Sequence, residues 1–285
     1  MRTDLHLHSQ ASDGTLTPGE IVAEGARRGF GLLALADHNT DRGWPDFSAA
    51  CRRAGIRPLR GMELDCLYGG WDIHLLAYGY TPTLELTQLA GRSLRQMEQM
   101  SDDLIRKMLP DFPALGWEDW LAYLPDPSRG GWKGIQYLLD RGVTRRLEEG
   151  MSFYGRYGCG YGSYPFPTME EVCRGVRQAG SVPVLAHPAN WFAHLDRQGL
   201  YRHLDAMGEL GVGGVECHYP SHTPRMVRDC RDYCAAHGWL MTAGSDWHGE
   251  FNKIVDGVCY EIGQVQADLS QLNLGQCLGQ EEEEA

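Results

Sequence analysis

The sequence predicts an α/β fold in which strands and helices alternate to form a barrel that carries one inserted helical segment. Short apolar runs typical of strands alternate with helix start signals over most of the chain, and this alternation is typical of a parallel sheet. Residues 82–148 break the alternation. With 285 residues, 42% of them hydrophobic, the chain can bury one large core, which favours one barrel with an insertion over two independent domains. In such barrels, functional sites lie at the carboxyl ends of the strands.

The first predicted strand, residues 3–8, contains a His-x-His pair. Because side chains alternate along a strand, His6 and His8 should point to one side and the intervening leucines to the other. Asp13 follows in the next loop. Neutral imidazole nitrogens are preferred ligands of Zn, Fe and Mn, and a carboxylate can add a hard oxygen ligand. On its own, this segment fits a pair of partly buried histidines equally well.

Later apolar runs end in, or contain, residues of the same chemistry. Most of these residues follow a run directly, whereas His74 lies inside the run 71–78. The residues are Asp37 with His38, Glu63, His74, His187, and Asp246 with His248. A single one would fit a cap or a hydrogen-bonded loop group. Together with the His-x-His segment, these residues make six such sites in one chain, more than isolated structural groups readily explain.

Helix start signals lie between the predicted strands. Thr17-Pro18-Gly19-Glu20 is a capping box with proline at the first helical position, and its helix should end near Gly29. Thr223-Pro224 predicts a helix that runs to about Gly238, and residues 167–171 begin another that ends near Gly180.

The segment that breaks the alternation predicts three helices separated by prolines: Thr83–Leu109, Trp117–Leu124 and Trp132–Arg141. It is interpreted as an inserted helical lid. A Gly- and Tyr-rich stretch within residues 149–167 then leads back to the barrel. Its tyrosines could stack on a nucleobase. A flexible, aromatic-anchored hinge is the favoured alternative.

Composition narrows the possible partners and the compartment. The formal net charge of −12 includes the tail Glu281–Glu284 and argues against a broad surface for duplex DNA, although a small anionic substrate at a locally positive metal site remains compatible with it. No apolar run is long enough to span a membrane, and the chain starts directly on the first strand. Nine cysteines, an odd number without a Cys-x-x-Cys spacing, predict reduced thiols. We therefore expect a cytoplasmic protein without membrane contact.

These motifs resemble those of the polymerase and histidinol phosphatase (PHP) family of metal-dependent phosphoesterases. The resemblance covers residues 1–80 and 168–262. It rests on six segments in the family's order: Asp4–Ser9 with Ser12-Asp13-Gly14, Ala36-Asp37-His38-Asn39, Gly61-Met62-Glu63, Ile73-His74, Ala186-His187-Pro188, and Gly244-Ser245-Asp246-Trp247-His248.

The resemblance implies a distorted (β/α)7 barrel with two or three divalent metal ions, Zn, Fe or Mn, at the carboxyl ends of its strands. The implied ligands, through which catalysis would proceed, are His6, His8, Asp13, His38, Glu63, His74, His187, Asp246 and His248. The implied organisation is a discontinuous barrel from 1–80 and 168–262, a lid at 82–148, a return segment at 149–167, and a C-terminal extension at 263–285 with the acidic tail.

The implied activity is hydrolysis of a phosphate ester by a metal-activated hydroxide. The substrate would be a nucleotide, a nucleoside bisphosphate, a short oligonucleotide such as RNA, or another small phosphorylated metabolite. His222, Arg129 and Lys133 are the candidate phosphate ligands, and His222 resembles a histidine that related phosphatases carry after this strand. Residues 130–134 read Gly-Gly-Trp-Lys-Gly where better-known relatives would carry an Arg-Pro-His type sequence. This departure weakens the case for nucleoside phosphates and short RNA.

Three other functions remain open. A histidinol-phosphate-type phosphatase is a narrower alternative within the family. Amidohydrolases share a barrel and an opening His-x-His pair, but they would normally show a strand-end Lys or Glu as bridging ligand and a lone Asp after the last strand. A metal-stabilised binding module without catalysis is the third alternative, although a complete ligand set favours turnover.

Overall fold

The computed structural model describes residues 1–277. A mainly parallel sheet of seven strands forms its centre, in the order β1 to β7 along the chain. The strands are β1 (Thr3–Asp4), β2 (Leu32–Leu35), β3 (Arg57–Tyr68), β4 (Trp71–Tyr78), β5 (Val184–Leu185), β6 (Gly214–His218) and β7 (Leu240–Ala243). Two further short strands, β8 (Ile254–Val255) and β9 (Val258–Cys259), pair with each other outside this sheet.

Helices fill the connections between the strands. They are α1 (Pro18–Arg27), α2 (Trp44–Ala54), α3 (Leu84–Met108), α4 (Trp117–Ala122), α5 (Lys133–Asp140), α6 (Met151–Arg156), α7 (Met169–Gln178), α8 (Ala189–Phe192), α9 (Arg197–Leu210) and α10 (Pro224–His237). Short 3₁₀ turns lie at Pro127–Arg129, Glu148–Gly150, Tyr161–Ser163 and Leu269–Gln271. The fold is therefore mixed α/β, as the sequence predicts.

The expectation of an all-parallel sheet is wrong at β4, which runs antiparallel to both of its neighbours. The connection between β3 and β4 is only Gly69-Gly70, and both residues have positive φ, of 58° and 85°. A two-residue loop of this kind forms a tight hairpin, which makes the two strands antiparallel. As a consequence, Glu63 lies in the middle of β3 rather than at a strand end, and Asp65 is paired with His74.

The predicted strand 3–8 is also shorter than expected. Its regular pairing with β2 covers only Thr3–Asp4, because the following residues bond to the residues around the end of β7 instead. The backbone N–H of Leu5 donates to the Ala243 carbonyl at 3.0 Å, and that of His8 donates to the Trp247 carbonyl at 3.0 Å. These hydrogen bonds connect the first and last strands of the sheet.

The predicted helix starts are confirmed. Thr17 accepts from the Glu20 backbone N–H while the Glu20 carboxylate accepts from Thr17, so the capping box closes as expected at the start of α1. Thr168 and Glu171 form a second capping box at α7. At α10, Thr223 caps the helix with proline at its first position.

The segment between β4 and α7 forms its own apolar cluster, which we call the insertion core. Residues of α3, α4 and α5 supply most of it, including Leu104, Trp120 and Tyr137. The return segment adds Tyr154 and Phe166 to the same cluster. The aromatic residues of the return segment are thus anchored by packing.

Three other expectations concern the acidic tail, membrane contact and the cysteines. The acidic tail lies outside the described residues. Within residues 1–277, no helix is both long and apolar enough to cross a bilayer. All nine cysteines are free thiols, and all except Cys259 are buried.

Candidate metal centre

The end of β1 supplies the first two candidate ligands. His6 and His8 are both buried and lie on the same side of the chain, whereas Leu5 and Leu7 turn into two separate apolar clusters. Gly244, just after β7, makes this approach possible, because a Cβ at that position would overlap the Cβ of His6. Any larger residue would have to push the two strand ends apart.

Asp37 has a supporting role in the Asp37-His38 pair. Its carboxylate accepts hydrogen bonds from the Ser9 backbone at 2.7 Å, the Ser9 hydroxyl at 2.7 Å and the Ser12 hydroxyl at 2.6 Å. These bonds secure the loop that leads to Asp13. His38 is therefore the candidate ligand of the pair, and Asp37 fixes the loop beside it.

The structure brings all nine predicted ligands together. Among the described residues, four groups have ligand atoms that lie within 4.8 Å of one another. Three of these groups contain the complete predicted set: His8, Asp13, His38 and His248; His6, His8, Glu63 and Asp246; and Glu63, His74 and His187. The fourth, His38, Asp65 and His74, includes a residue that the sequence analysis missed.

Glu63 is the central carboxylate of this cluster. Its Oε2 lies 3.1 Å from His6 Nε2 and 3.3 Å from His8 Nε2. Its Oε1 lies 2.9 Å from His74 Nδ1 and 2.8 Å from His187 Nε2. His38 Nε2 also lies 3.3 Å from Oε2. One carboxylate thus faces five imidazoles, three on Oε2 and two on Oε1, so its two oxygens could serve more than one metal position.

Several of the converging atoms are buried without a hydrogen-bond partner in residues 1–277. They are His6 Nε2, both nitrogens of His8, Asp13 Oδ1, Glu63 Oε2 and Asp246 Oδ1, together with atoms of His38, Asp65 and His74. Leaving buried polar groups unpaired costs free energy, and here these imidazole nitrogens and carboxylate oxygens converge without forming hydrogen bonds. Divalent cations would supply the missing partners, so the donor set fits a metal centre.

The electrostatics of the cluster also favour cations. Burial lowers the pKa of His38, but the nearby carboxylates of Glu63 and Asp13 raise it to about 10. Burial likewise opposes the charge on His248, yet Asp13 raises the pKa of that imidazole to about 9. In turn, burial raises the pKa of Glu63, but the surrounding imidazoles hold it well below its usual range. The carboxylates thus retain their negative charge and attract positive charge into the cluster.

Backbone strain is concentrated at the same place. Asn39, His187 and Asp246 have φ values of 53°, 28° and 55°, in the left-handed region that residues with a side chain rarely adopt. Two of these are candidate ligands, and the third follows the candidate ligand His38. Such strain persists only where the surroundings hold the backbone in place, and it is typical of functional sites.

Sequence reasoning missed several polar groups that support the ligands. Glu216 is buried on β6; its Oε1 lies 3.0 Å from His6 Nδ1, and its Oε2 accepts from the His187 backbone at 2.9 Å. The Tyr219 hydroxyl donates to Asp246 Oδ2 at 2.8 Å. The available signal was a charged residue inside the apolar run Gly214-Val215-Glu216-Cys217, since an isolated charge is rarely buried without a partner.

His222, a predicted phosphate ligand, is held close to the cluster. Its Nδ1 lies 3.0 Å from the Cys217 carbonyl and must donate to it, while its Nε2 accepts weakly from the Ala189 backbone at 3.4 Å. Burial lowers the pKa of this imidazole to about 4. In its neutral form, His222 therefore presents a lone pair at Nε2, and it could donate a hydrogen bond to a phosphate only after taking up a second proton.

The other two predicted phosphate ligands, Arg129 and Lys133, have partners within the inserted segment. Arg129 forms two contacts of 2.9 Å with the Asp140 carboxylate. The Lys133 ammonium lies 4.2 Å from the centre of the Trp120 ring. In this conformation, both cations stabilise the inserted segment.

The inserted segment nevertheless touches the metal centre through its two glycines. The Gly131 backbone N–H donates to the Asp13 carbonyl at 2.7 Å. Both Gly130 and Gly131 have positive φ, and a Cβ on Gly130 would lie 2.6 Å from the Cβ of Phe251. The glycine pair therefore allows a close contact with the Asp13 loop.

The α/β fold and the buried histidine–carboxylate cluster are typical of metal-dependent hydrolases. Residues 4–115 match the family model of the PHP domain. A 3′,5′-nucleoside bisphosphate phosphatase of Chromobacterium violaceum is 28% identical, over 86% of this chain and 86% of its own. A structure from Bifidobacterium adolescentis, assigned to the metal-dependent phosphoesterases, has a TM-score of 0.75 at 26% identity and covers 94% of this chain and 93% of its own.

The match to the PHP domain over residues 4–115 confirms the resemblance found in the sequence. Together with these relatives it identifies the chain as a hydrolase of phosphoester bonds. A further similar structure is an amidohydrolase from Chromobacterium violaceum with bound sulfate and no metal, at a TM-score of 0.73, 25% identity, and coverage of 89% of this chain and 90% of its own.

Proposed function

We propose that the nine-residue cluster holds two or three divalent metal ions and that the chain hydrolyses the phosphate ester of a small phosphorylated substrate there. The observation that carries the proposal is the sharing of ligands between neighbouring groups. Glu63 belongs to two of the three groups of predicted ligands and can give one oxygen to each, whereas His8, which also belongs to two, can bind only one ion as a neutral imidazole. Shared ligands hold ions close together, as in sites that act on phosphoryl groups through more than one metal.

Bound divalent ions would lower the pKa of a water molecule and stabilise negative charge on the phosphoryl oxygens. The protein's contribution is to fix the geometry of the ligands. Glu216 holds the His6 ring and the His187 backbone, and Tyr219 holds one oxygen of Asp246. Groups of this kind orient metal ligands and tune their basicity. The mixed nitrogen and oxygen donors suit Zn, Fe and Mn.

We further propose that the sheet closes as a distorted (β/α)7 barrel and that the inserted segment is its lid. The backbone hydrogen bonds between the residues after β1 and those around the end of β7 support closure. The contact between Gly131 and the Asp13 carbonyl supports a lid next to the centre. A cytoplasmic location is part of the proposal, supported by nine free thiols.

The proposed substrate class is a nucleotide or nucleoside bisphosphate, with short RNA as an extension of it. Two observations support this choice: the bisphosphate phosphatase among the relatives and the sulfate, an analogue of phosphate in shape and charge, bound in a neighbour. His222 would serve as a phosphate ligand in its protonated form, which a bound phosphate dianion favours. Extended duplex DNA is not expected to bind, given the net charge of −12.

The experiment is a phosphate-release screen on metal-free protein reloaded with Mn or Zn. The panel contains nucleoside 3′,5′-bisphosphates, mononucleotides, 5′-phosphorylated oligoribonucleotides, histidinol phosphate and sugar phosphates. We expect metal-dependent release, highest with a nucleotide. His194→Ala is the matched control, since His194 is exposed and outside the cluster.

The screen also separates the competing functions. Preference for histidinol phosphate would support the narrower phosphatase. Because one similar structure is named an amidohydrolase, the screen also includes amide and lactone substrates. Hydrolysis of these without phosphate release would overturn the proposal, as would tight metal binding without turnover of any substrate, which is the behaviour of a binding module.

A further inference from the structure

Asp65 is a buried carboxylate next to the metal centre that the predicted ligand set does not include. It lies on β3 two residues after Glu63, so both side chains point to the same face of the strand. In the hairpin it is paired with His74 on β4. Asp65 is only 1% exposed. A charged group in such a position requires partners.

The partners of Asp65 come from both sides. Its Oδ2 accepts a hydrogen bond from the Asn39 amide at 2.7 Å, and its backbone N–H donates to the Asn39 side chain at 3.2 Å. Its Oδ1 lies 3.3 Å from His38 Nδ1 and 3.5 Å from His74 Nε2. Asn39 thus orients the carboxylate so that one oxygen faces two candidate metal ligands.

The opposite nitrogens of the same two rings face Glu63. His38 Nε2 lies 3.3 Å from Glu63 Oε2, and His74 Nδ1 lies 2.9 Å from Glu63 Oε1. Each ring therefore lies between a carboxylate on one side and the centre of the cluster on the other. Metal-binding histidines commonly show this geometry, because the carboxylate accepts the ring N–H and leaves the other nitrogen free for the ion.

We propose that Asp65 is a positioning residue that fixes the tautomer of His38 and, together with Asp72, whose Oδ2 lies 3.4 Å from His74 Nε2, that of His74; the inference rests on the proposed metal centre. The contacts of Asp65 Oδ1, of 3.3 and 3.5 Å, lack hydrogen-bond geometry in this structure, and in the metal-loaded site the same oxygen would accept the Nδ1–H of His38 and the Nε2–H of His74. This leaves His38 Nε2 and His74 Nδ1 unprotonated and directed at the ions.

A cation held by His38, Asp65 and His74 themselves is less favourable. Such an ion would bind the two nitrogens that face Asp65, while the other nitrogens bind ions near Glu63. Both nitrogens of each ring would then need a free lone pair. This requires loss of the single N–H proton of neutral imidazole, which does not occur at ordinary pH. The tautomer role needs no such change.

Only part of the centre should depend on Asp65. His38 belongs to the group with Asp13 and His248, whereas His74 belongs to the group with His187. The third group, His6, His8, Glu63 and Asp246, contains neither ring. Loss of Asp65 should therefore weaken two metal positions and spare the third.

The test measures Zn binding to metal-free protein by competition with a chromophoric chelator, for the wild type, Asp65→Ala and Asp72→Asn. Asp72 is the matched control, because its Oδ2 lies 3.4 Å from His74 Nε2 and it has no such contact with His38. We expect Asp65→Ala to bind two of the equivalents about 10- to 100-fold less tightly and to leave one unchanged. Asp72→Asn should affect at most one equivalent.

Nitrogen-15 NMR of the histidine rings in the Zn-loaded protein supplies the second readout. In the wild type we expect His38 protonated at Nδ1 and His74 protonated at Nε2, and in Asp65→Ala a mixture of tautomers for His38. Asp65→Asn, which keeps the side-chain volume, repeats both measurements if the alanine variant does not fold. Unchanged affinities and tautomers would overturn the positioning role.

Three outcomes have separate meanings. Loss of one whole equivalent in Asp65→Ala, with all other affinities unchanged, would make Asp65 a ligand and overturn the proposal. A wild-type protein that binds no Zn would overturn the metal centre itself, and with it this role. A wild type that loads normally, beside an unaffected Asp65→Ala, would overturn the positioning role alone.

Discussion

The metal centre and the inserted segment use charged residues in opposite ways. At the centre, Glu63 is fully buried, and four of the five imidazoles that face it have a buried nitrogen without a hydrogen-bond partner within residues 1–277. In the inserted segment, Arg129 pairs with Asp140 and Arg141 pairs with Asp119, and all four side chains are partly exposed. The candidate site therefore differs from the surface ion pairs in how deeply its charged groups are buried and in whether they have hydrogen-bond partners, rather than in the number of charges.

The two regions predict different consequences of mutation. Exposed ion pairs contribute little to stability, because water solvates both partners well. Unpaired buried donors are costly, and a ligand that supplies their partners offsets that cost. Changes at the centre should alter metal content and activity by large factors. Changes in the inserted segment should alter stability slightly.

The largest effect is expected for Glu63→Ala. Because Glu63 belongs to two of the ligand groups, its loss should remove more than one metal position and reduce phosphate release by at least about a thousandfold. Elemental analysis and the release assay measure the two effects. His194→Ala should change neither. Full metal content in Glu63→Ala would contradict the central place of this carboxylate.

His248→Ala should have a smaller effect. His248 belongs to a single group, in which its Nε2 lies 3.3 Å from Asp13 Oδ1. We expect a loss of about a hundredfold in activity and of no more than one metal equivalent. Asp13→Ala should give the same result, since it removes a ligand of the same position. A variant that loses all its metal would show that the groups do not fill independently.

His222→Ala should leave the metal content intact and raise the KM for a phosphorylated substrate about tenfold, the loss expected for one hydrogen bond to a charged group. The physical reason is that Nε2 is the only nitrogen of this ring free of the Cys217 carbonyl. Steady-state kinetics with elemental analysis provide the test. Loss of metal in this variant would mean that His222 is a ligand rather than a phosphate-binding residue.

The same residue predicts a pH effect on the stability of the substrate-free protein. Burial lowers the pKa of His222 to about 4, below its ordinary value of 6.5. Between these two pH values, His222 binds a proton in the unfolded chain but not in the folded chain. The contribution of neutral His222 to the free energy of unfolding is therefore fully present above pH 6.5 and is lost progressively as the pH falls towards 4. Urea unfolding at about pH 7 and about pH 4.5 should show a smaller loss for His222→Gln than for the wild type. Equal losses would show that His222 does not resist protonation.

The smallest effect is expected for Lys133→Ala. Removing its ammonium from the Trp120 ring should lower the free energy of unfolding by about 0.5–1 kcal/mol, with metal content unchanged. Thermal or urea unfolding measures this difference. A several-fold rise in KM would instead place Lys133 at the substrate, and the contrast between the two regions would no longer hold there.

The linear sequence contained most of the local information. The capping boxes at Thr17 and Thr168 depend on residues three positions apart, so they could be recognised directly. The His-x-His alternation depends on strand geometry alone. The Gly69-Gly70 hairpin is also encoded locally. The alternation of strands and helices nevertheless predicts a parallel sheet, which is wrong for the direction of β4.

The motifs, through their resemblance to those of a known family, were enough to name the candidate metal ligands, although any one of these histidines and carboxylates alone would also fit a cap or a loop group. Their partners became apparent only in the folded chain. Asp65 faces His38 because two strands and a loop meet there, and Glu216 reaches His6 across 210 positions of the chain. Arg129, a candidate phosphate ligand in the sequence, pairs with Asp140 one helix away. A residue's type fixes its chemistry, but burial and neighbours, which come from distant segments, decide whether that chemistry is used for binding or for stability.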